Sequence, residues 1–377
     1  MKGEYPYWGA NGVVDYIDQW IFDEDLILLG EDGAPFFDST KDVAFNITGK
    51  IWVNNHAHIL RPKINRIHQE YLTYALNCVN YYLYINGSTR DKLTQSEMGN
   101  IVIWYPPIEE QRQIVLFLNR ETSKIDTLIA KQEELIQLLQ EKRQAVISRA
   151  VTKGLNPHAP MKDSGIEWLG QIPAHWETSY SKWLFTVRTE RARPDDIQLS
   201  ATQAYGVISQ VEFMQREGRR VTQITQHLDK RRHVEIDDFV ISMRSFQGGL
   251  ERAWQTGCIR SSYVVLKPSP EIVVDFFTYL FKSYPYIQAL RATSNFLRDG
   301  QDMNFNNFCL VDLPKIPKPE QRAIATFLDN ETKKIDTLIE KSKQFIELLN
   351  ERRTALISAA VTGKIDVRHP VEQGTPS

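Results

Sequence analysis

The sequence predicts an α+β fold in which two mixed α/β domains alternate with two long helices. Three observations support this prediction. The chain has 377 residues, too many for one ordinary core. Residues 107–152 recur as residues 317–362, and each copy follows a region of short β-like runs and a helix-like run. This repeat is longer than any solenoid period, so the chain is an internal duplication, and we expect pseudo-two-fold symmetry.

The composition is that of a folded protein without membrane segments. Hydrophobic residues make up 42% and charged residues 24% of the chain, which are ordinary globular values. No apolar run approaches the roughly 18 residues of a membrane span, and the opening MKGEYPYWGANG lacks the apolar stretch of a signal peptide. The three cysteines are isolated, so we expect no disulfide, no metal site and a cytoplasmic location.

Residues 1–106 are expected to form the first variable domain. A β-like run in 25–36 ends in the glycine-rich turn GEDGAP, a strand is predicted within 50–62, and a helix within 68–85. The domain has 8 cations and 13 acids, a local charge of −5, which is unfavourable for autonomous binding of nucleic acid. In its favour, the sequence groups four polar residues that suit such contacts: Lys50, Asn54, Asn55 and His56.

The repeated segments are predicted to be long helices. Of the 46 aligned positions in 107–152 and 317–362, 27 are identical. Each copy opens with proline and acids, which suit a helix N-terminus, and closes on Val-Thr followed by a glycine-lysine pair. A helix over residues 124–150 alone is about 40 Å long, at ~1.5 Å per residue. One turn of DNA is ~34 Å, so two such helices have a suitable length to set half-sites about one turn apart.

The apolar spacing in both copies is heptad-like. The first predicted seam contains Leu118, Ile125, Leu139, Val146, Leu328, Ile335, Leu349 and Leu356. The second predicted seam contains Leu128, Leu135, Leu338 and Phe345. A further stripe widens the apolar face beyond a two-helix seam, and helices of a partner could cover it: Ile129, Ile136, Ile339 and Ile346.

Polar residues interrupt the seam at equivalent positions in both copies. Gln132 corresponds to Ser342, and Lys142 corresponds to Arg352. One interpretation places them near the helix surface. The other is register control, in which polar seam residues can be satisfied in only one antiparallel alignment.

Residues 155–316 are expected to form the second variable domain. They repeat the order of the first, with β-like runs in 237–253 and 256–268 before a helical run in 273–290. Some 77 residues separate Asp163 from Val240, against about 26 before the equivalent strand of the first domain. By subtraction, we expect the first domain to lack about 50 N-terminal residues.

Two stretches of the second domain suit contacts to nucleic acid. The first, 216–233, holds six cations among 18 residues, and it is either a solvated surface or a phosphate-positioning face. Its candidate contacts are Arg216, Arg219, Arg220, Lys230, Arg231 and Arg232. The second, MRSFQGG at 243–249, is predicted to read bases, because arginine binds guanine and glutamine binds adenine in bidentate fashion. Its candidates, with those of the neighbouring IRSSY, are Arg244, Ser245, Gln247, Arg260, Ser261 and Ser262.

The order of these segments resembles the specificity subunits of type I restriction–modification systems. The resemblance is carried by SGIEWLGQIPAHWE at 164–177, PKPEQRAIATFLDNETKKID at 317–336 and ISAAVTGKID at 357–366. GANG at 9–12 and GEDGAP at 30–35 are similar to the first-half target-recognition domains of that family. The resemblance covers nearly the whole chain.

The resemblance implies a domain order and a set of partners. Target-recognition domains at 1–106 and 155–316 would be separated by conserved antiparallel helical spacers at 107–154 and 317–366, with a flexible tail at 367–377. The partners would be double-stranded DNA with a bipartite target, two modification (methyltransferase) subunits and restriction (endonuclease) subunits. S-adenosylmethionine, ATP and Mg would be bound by those subunits and not by this chain. The glycine-rich turns would bring Asn11 close to DNA.

The sequence lacks the motifs of the catalysis itself. An adenine methyltransferase needs Asn/Asp-Pro-Pro-Tyr/Phe, and the nearest stretch, Tyr105-Pro106-Pro107-Ile108, differs at both flanks. There is no GxxxxGK[ST] phosphate loop, so no ATPase is encoded. We therefore predict a non-catalytic DNA-binding subunit. The alternative is a coiled-coil structural adaptor that binds proteins instead of DNA.

Overall fold

A computed structural model describes residues 3–85, 91–218, 220, 230–293 and 304–367. The chain divides into two compact units: unit 1 is formed by residues 1–136 with 340–377, and unit 2 by residues 137–339. The two repeated segments form long helices, α3 (Ile108–Lys153) and α10 (Lys318–Val361), and each helix contributes to both units. The predicted α+β fold class is confirmed. Among the residues described, no helix is long and apolar enough to span a membrane.

The variable part of unit 1 contains two small sheets and short helices. Its elements are β1 (Tyr5–Gly9), β2 (Gly12–Ile17), β3 (Phe22–Asp23), β4 (Leu26–Gly30), β5 (Ala44–Ile47), β6 (Lys50–Val53), β7 (Ala57–Leu60), α1 (Gln69–Asn77) and α2 (Gln95–Gly99), with a 3-10 turn at Tyr81–Leu83. One sheet has the order β2-β1-β6-β3, and the other has the order β5-β4-β7. In the first sheet β1 and β6 are parallel, and the other neighbours are antiparallel.

Strand β4 explains why its four apolar residues are consecutive in the sequence. Alternate side chains of a strand point to opposite faces. Leu26 and Leu28 pack in one apolar cluster, and Ile27 and Leu29 pack in a second one, so the strand is fully buried on both faces. Each side chain stabilises the domain by about 1.5–3 kcal/mol through burial.

The variable part of unit 2 is larger. Its elements are β8 (Met161–Asp163), β9 (Gln171–Pro173), β10 (Glu177–Ser179), α4 (Ser181–Leu184), β11 (Phe185–Val187), β12 (Leu199–Thr202), β13 (Gly206–Ser209), α5 (Gln210–Glu217), β14 (Arg232–Val234), β15 (Phe239–Ile241), α6 (Ser245–Gly248), β16 (Glu251–Arg252), β17 (Gly257–Ile259), β18 (Val264–Pro268), α7 (Val274–Phe281), α8 (Tyr284–Ala292), α9 (Phe305–Cys309) and β19 (Leu313–Lys315). Its largest sheet has the order β11-β18-β15-β16, and its core is rich in aromatic residues around Phe185 and Phe281.

Three predicted elements differ from the structure. The strand predicted within 50–62 is two strands of different sheets, because the Asn54 side chain accepts the backbone N–H of His56 and closes a turn between them. The helix predicted within 68–85 ends at Asn77. The side-chain oxygen of Asn77 accepts hydrogen bonds from the backbone N–H groups of Val43 and Ala44. The helical run in 273–290 is two helices, α7 and α8.

Within each unit, the two long helices pack in an antiparallel manner. In unit 1, Ile114 and Leu118 of α3 share an apolar cluster with Ile357 and Ala360 near the end of α10. In unit 2 the roles are reversed, and the end of α3 packs against the start of α10. The same ion pair crosses the helices in both units. Arg353 Nε lies 3.3 Å from Asp126 Oδ1, and Arg143 Nε lies 2.9 Å from Asp336 Oδ1.

A repeated glutamine fixes each variable domain to the start of its helix. The Gln111 amide accepts the His68 N–H at 2.7 Å and donates to the carbonyls of Arg66 and Pro106. The Gln321 amide makes the same three bonds in unit 2, to the Val273 N–H and to the Glu271 and Ile316 carbonyls. The glutamine of the repeated Gln-Arg dipeptide therefore has the same structural role in both copies.

The structure corrects the predicted use of the apolar stripes. The first seam is buried or half-buried, as expected of a helix contact. The predicted second seam is instead exposed, with Leu128 at 42%, Leu135 at 40%, Leu338 at 50% and Phe345 at 42%. The stripe predicted to face a partner is the covered one: Ile339 is buried, and Ile129, Ile136 and Ile346 are half-buried. The two stripes consist of successive residues, which lie about 100° apart around a helix, so a rotation of each helix by about that angle would exchange them.

The polar seam positions also divide into covered and exposed ones. Ser342 is buried and Gln132 is half-buried, whereas Lys142 and Arg352 are exposed. The surface interpretation therefore holds for the two cations. Register control stays a hypothesis for the glutamine and the serine.

Candidate nucleic-acid interface

Three of the residues predicted to read bases, Arg244, Gln247 and Arg260, line one open groove of unit 2. The groove has a volume of about 710 Å³. Its walls are the β12–β13 turn, α5, α6 and the loop after β17, which contribute Gln203, Tyr205, Arg244, Gln247 and Arg260. Sequence segments up to 62 positions apart, from Ala201 to Tyr263, therefore converge on one surface.

Helix α6 presents two of its predicted contacts and buries the third. Arg244 and Gln247 are three positions apart and both exposed, so their side chains lie on the same side of the helical turn. The Arg244 guanidinium makes no ion pair with any described residue, which argues against pairing with a core carboxylate. Ser245 was wrongly predicted as a contact, because it is 1% exposed and its hydroxyl accepts the Ser242 N–H.

A buried carboxylate forms part of the groove floor. Glu251 lies on β16, and its Oε1 accepts a hydrogen bond from Lys282 Nζ at 2.6 Å. Its Oε2 has no hydrogen-bond partner among the described residues. Burial raises the pKa of Glu251 to about 7, and the lysine opposes this only in part. The groove lining also contains Glu217 and two arginines, and protonation of Glu251 below about pH 7 removes one negative charge from the groove, which favours an electronegative ligand.

The basic stretch 216–233 divides between surface and interior. Arg220 and Lys230 are exposed, as phosphate contacts require, and Arg219 lies outside the described residues. Arg231 was wrongly predicted as a contact, since it is 4% exposed and donates to the Cys258 carbonyl. Arg232 is half-buried and donates to the carbonyl of Ser261.

Arg216 borders the groove through an aromatic contact. Its guanidinium lies 4.9 Å from the ring centroid of Tyr205 and pairs with Glu212. The Tyr205 hydroxyl donates to Glu217, which keeps the ring at the groove wall. Ser261 and Ser262 are exposed beside Arg260.

Sequence reasoning missed Gln203 and Tyr205, which belong to the same groove. The local signal was a tight turn, because Gly206 adopts φ +71° and a Cβ there would clash with the Arg252 carbonyl. That signal identifies a turn. It does not show that the turn lies beside α6.

In unit 1, three turns meet at one end of the sheets. The Asn11 amide donates to the carbonyl of Gly33 at 3.1 Å, and the His56 carbonyl accepts the N–H of Glu31. The His56 ring lies 3.9 Å from Asp32. The two glycine-rich turns and Asn54–His56 thus form one polar surface, with Asn11, Asn55 and His56 exposed.

Lys50 does not belong to this surface. It opens β6, whereas Asn54 follows the end of that strand, and four residues of strand span about 13 Å. Its ammonium lies 3.9 Å from the ring centroid of Trp20. The predicted cluster of four is therefore wrong, since a strand separates Lys50 from the other three residues.

The known proteins that this chain resembles are specificity subunits of type I restriction enzymes. The family described as "Type I restriction modification DNA specificity domain" matches residues 1–138. The putative type I restriction enzyme MjaX specificity subunit of Methanocaldococcus jannaschii is 27% identical over 82% of this chain and 71% of its own length. The type I restriction enzyme MjaVIII specificity subunit of the same organism is 25% identical over 98% of this chain and 88% of its own.

Solved structures show the same fold. A chain from a type I R-M system, solved for its complex assembly and conformational transition, superposes with a TM-score of 0.65 at 14% identity, over 90% of this chain and 82% of that chain. The HsdS subunit from Thermoanaerobacter tengcongensis gives a TM-score of 0.50 at 14% identity, over 93% of this chain and 84% of its own.

Proposed function

Because this chain belongs to the specificity subunits of type I restriction–modification systems, and thus selects the DNA sequence for such a system, we propose which of its surfaces read the DNA. The groove of unit 2 reads one half-site of a bipartite target. The three-turn surface of unit 1 reads the other half-site.

One observation carries the proposal for unit 2. Arg244, Gln247 and Arg260 converge on an open groove, and their side-chain donors have no partner among the described residues. Buried or paired arginines serve the fold, as Arg188 does in its bidentate contact with Asp238. Unpaired guanidinium and amide groups at the wall of a groove suit the guanine and adenine edges of the major groove.

The exposed cations next to the groove have a different role in this proposal. Arg220 and Lys230 contact phosphates and position the duplex. The first domain carries a local charge of −5, so its half-site is read through the amide and imidazole groups of Asn11, Asn55 and His56, and affinity comes mainly from the assembled complex.

The subunit works together with the other subunits of the restriction–modification system. We propose a complex with two modification subunits, to which restriction subunits are added. Those partners bind S-adenosylmethionine, ATP and Mg, and they carry out adenine methylation and cleavage in the cytoplasm. The exposed stripe of Leu128, Leu135, Leu338 and Phe345 provides apolar docking area on the helices.

The proposal is tested in two steps. Methylome sequencing of a host that carries this chain and its modification subunit gives the target, and binding of the assembled complex to target and scrambled duplexes then gives the roles. Arg244→Ala or Gln247→Ala should cost on the order of 1–3 kcal/mol on the target and little on scrambled DNA. Arg220→Ala with Lys230→Ala should weaken both duplexes and lower the salt slope by up to about two units.

Gln215→Ala is a matched control, because Gln215 is exposed on α5 and lies outside the groove lining. Equal losses on both duplexes for Arg244→Ala and Gln247→Ala would refute the assignment of base contacts. An adaptor that binds only proteins would show no salt-dependent duplex binding even with its partners present.

A further inference from the structure

The internal repeat extends beyond the long helices. Helix α2 begins with a capping box at Thr94 and Glu97, and α9 begins with a capping box at Asn304 and Asn307, 210 positions later in each case. The glutamine contacts described above also repeat. The segment Ile103–Tyr105 of unit 1 therefore corresponds to Leu313–Lys315 of unit 2, which is β19.

In unit 2 this segment is covered by residues of the same unit. Strand β19 pairs with β10 in antiparallel register, so that Glu177 lies opposite Lys315 and Ser179 lies opposite Leu313. Trp176, just before β10, is fully buried against the helices, and His175 Nε2 lies 2.7 Å from Glu320.

The same cover reaches the end of α3 in unit 2. Lys153 Nζ donates to the carbonyls of Leu169 and Gln171, and Thr152 is buried. A Cβ on Gly154 would lie 3.3 Å from the Trp176 ring. Residues 169–179 thus form a strap across both helices and β19.

In unit 1 the corresponding surface has no strap among the described residues. The N–H groups of Ile103, Trp104 and Tyr105 have no hydrogen-bond partner there. Val102 is 84%, Trp104 57% and Tyr105 49% exposed. Thr362, which corresponds to the buried Thr152, is also exposed.

An acidic residue completes the correspondence. Glu110 occupies the position of Glu320, but it makes no ion pair with any described residue of its unit. Unit 1 therefore presents the three features that the strap satisfies in unit 2: an unpaired strand, an uncovered apolar surface and an unpaired carboxylate. We call Val102–Tyr105, Glu110 and Thr362 the open edge.

We propose that the open edge binds a polypeptide segment with the chemistry of residues 169–179, which adds an antiparallel strand to Ile103–Tyr105, covers the apolar surface with an aromatic side chain and places a side-chain N–H donor beside Glu110. Strand addition to an unpaired edge is an established mode of peptide recognition, in which backbone bonds give affinity and side chains give specificity. Nucleic acid offers no such row of alternating donors and acceptors.

The register of the β10–β19 pair determines which backbone hydrogen bonds an added strand must form. Pro314 has no N–H, so the Thr178–Pro314 pair is the non-hydrogen-bonded kind, and the neighbouring pairs, Glu177–Lys315 and Ser179–Leu313, exchange the ladder bonds. In unit 1 the carbonyl of Trp104, which corresponds to Pro314, accepts the Tyr71 hydroxyl and so points away from the open edge. The same alternation therefore holds in unit 1.

The test uses a fluorescein-labelled synthetic peptide of residues 161–180 and the full-length protein without DNA. We expect saturable binding by anisotropy, and protection of the amides of 103–105 from hydrogen exchange. A peptide N-methylated at the residues corresponding to Glu177 and Ser179 should bind at least about tenfold more weakly, because two ladder bonds are lost. A peptide N-methylated at the residue corresponding to Thr178 should bind like the parent peptide.

Protein variants locate the site. Glu110→Gln should weaken binding by about twofold to fivefold, because a partly exposed hydrogen bond to a carboxylate is replaced by one to a neutral amide. The matched variant Glu320→Gln should leave the affinity unchanged, since that carboxylate is already paired with His175.

Three results would overturn the proposal. They are the absence of binding at millimolar peptide, equal affinity of the two N-methylated peptides, and exchange protection of residues 313–315 in place of 103–105, which would show displacement of the existing strap. None of these outcomes depends on whether the chain reads DNA.

Discussion

Replacing Gln321 by leucine should detach the variable domain of unit 2 from the start of α10. The Gln321 amide accepts the N–H of Val273 at 2.8 Å and donates to the carbonyls of Ile316 at 2.8 Å and Glu271 at 3.2 Å. Leucine has a similar size but cannot make any of these bonds. The change therefore leaves three backbone groups without a partner in a site where the glutamine itself is 4% exposed.

The magnitude follows from the burial of each group. The bond to the Ile316 carbonyl is buried, and an unsatisfied buried group costs about 1–3 kcal/mol. The other two bonds are partly buried, and these groups regain water at a cost of about 0.5–1 kcal/mol each. The sum is about 3 kcal/mol, or roughly a hundredfold in the local opening equilibrium.

Hydrogen exchange is the suitable assay, because a chain of two units does not unfold in one two-state step. We expect the amides at the start of α7 to exchange about a hundredfold faster in Gln321→Leu, with α1 unchanged. Gln111→Leu should give the converse pattern, since Gln111 makes the same bonds in unit 1. Arg322→Leu is the matched control: the side chain is exposed and should change little. Equal exchange in Gln321→Leu and Arg322→Leu would refute the reasoning.

Three further predictions concern the groove floor, the helix surface and the helix length. The folded chain holds the Glu251 proton up to about pH 7, whereas the unfolded chain releases it near pH 4.5, so the unfolding free energy of unit 2 should fall by up to about 3 kcal/mol as pH rises between these values. Glu251→Gln should flatten this dependence in denaturant titrations at pH 5 and 8. A pH profile that is the same in the variant and the parent protein would contradict the role of Glu251. Leu128→Asp with Leu338→Asp should abolish co-purification with the modification subunit without loss of helicity, because the changes place charges on the exposed apolar stripe. The control, Asp at the neighbouring exposed Thr127 and Thr337, should leave the complex intact. If the leucine variant still co-purifies, the exposed stripe is not the docking site. Deleting one heptad from each helix, residues 130–136 with 340–346, keeps the apolar seam in phase and shortens each helix by about 10 Å. Methylome sequencing should then find the same half-site bases with a spacer about 3 bp shorter. Altered bases at constant spacing would contradict the role of the helices as spacers.

The repeat was the most informative part of the sequence because its pattern is local. Heptad spacing and end signals predict a helix wherever the chain places it, so α3 and α10 follow from residues 107–152 and 317–362 alone. The buried strand Leu26–Gly30 was likewise visible as an apolar run before a glycine-rich turn. The family also followed from such runs, since its motifs lie in these helices and in SGIEWLGQIPAHWE.

The sequence could not decide which apolar stripe of each helix faces inward. Leu128 and Ile129 are equally apolar and are neighbours in the chain, so both phases of the helix satisfy its pattern. The choice depends on what packs against the helix from elsewhere, such as Tyr71 of α1 in unit 1, which shares a cluster with Ile114 and Ile357. Helix propensity contains no such information.

The candidate contacts depended even more on tertiary structure. By type alone Arg231 and Arg244 are equivalent arginines, and Ser245 resembles any exposed serine, yet only Arg244 of these three lies at the groove. Its exposure results from the α6 turn, and its neighbours Gln203 and Arg260 come from loops distant in sequence. The sequence by itself determined the helices, the duplication and the kind of protein, because these depend on spacing along the chain. Only the tertiary structure decided which polar groups remain unpaired at a surface, because pairing and burial depend on contacts between segments that the chain brings together when it folds.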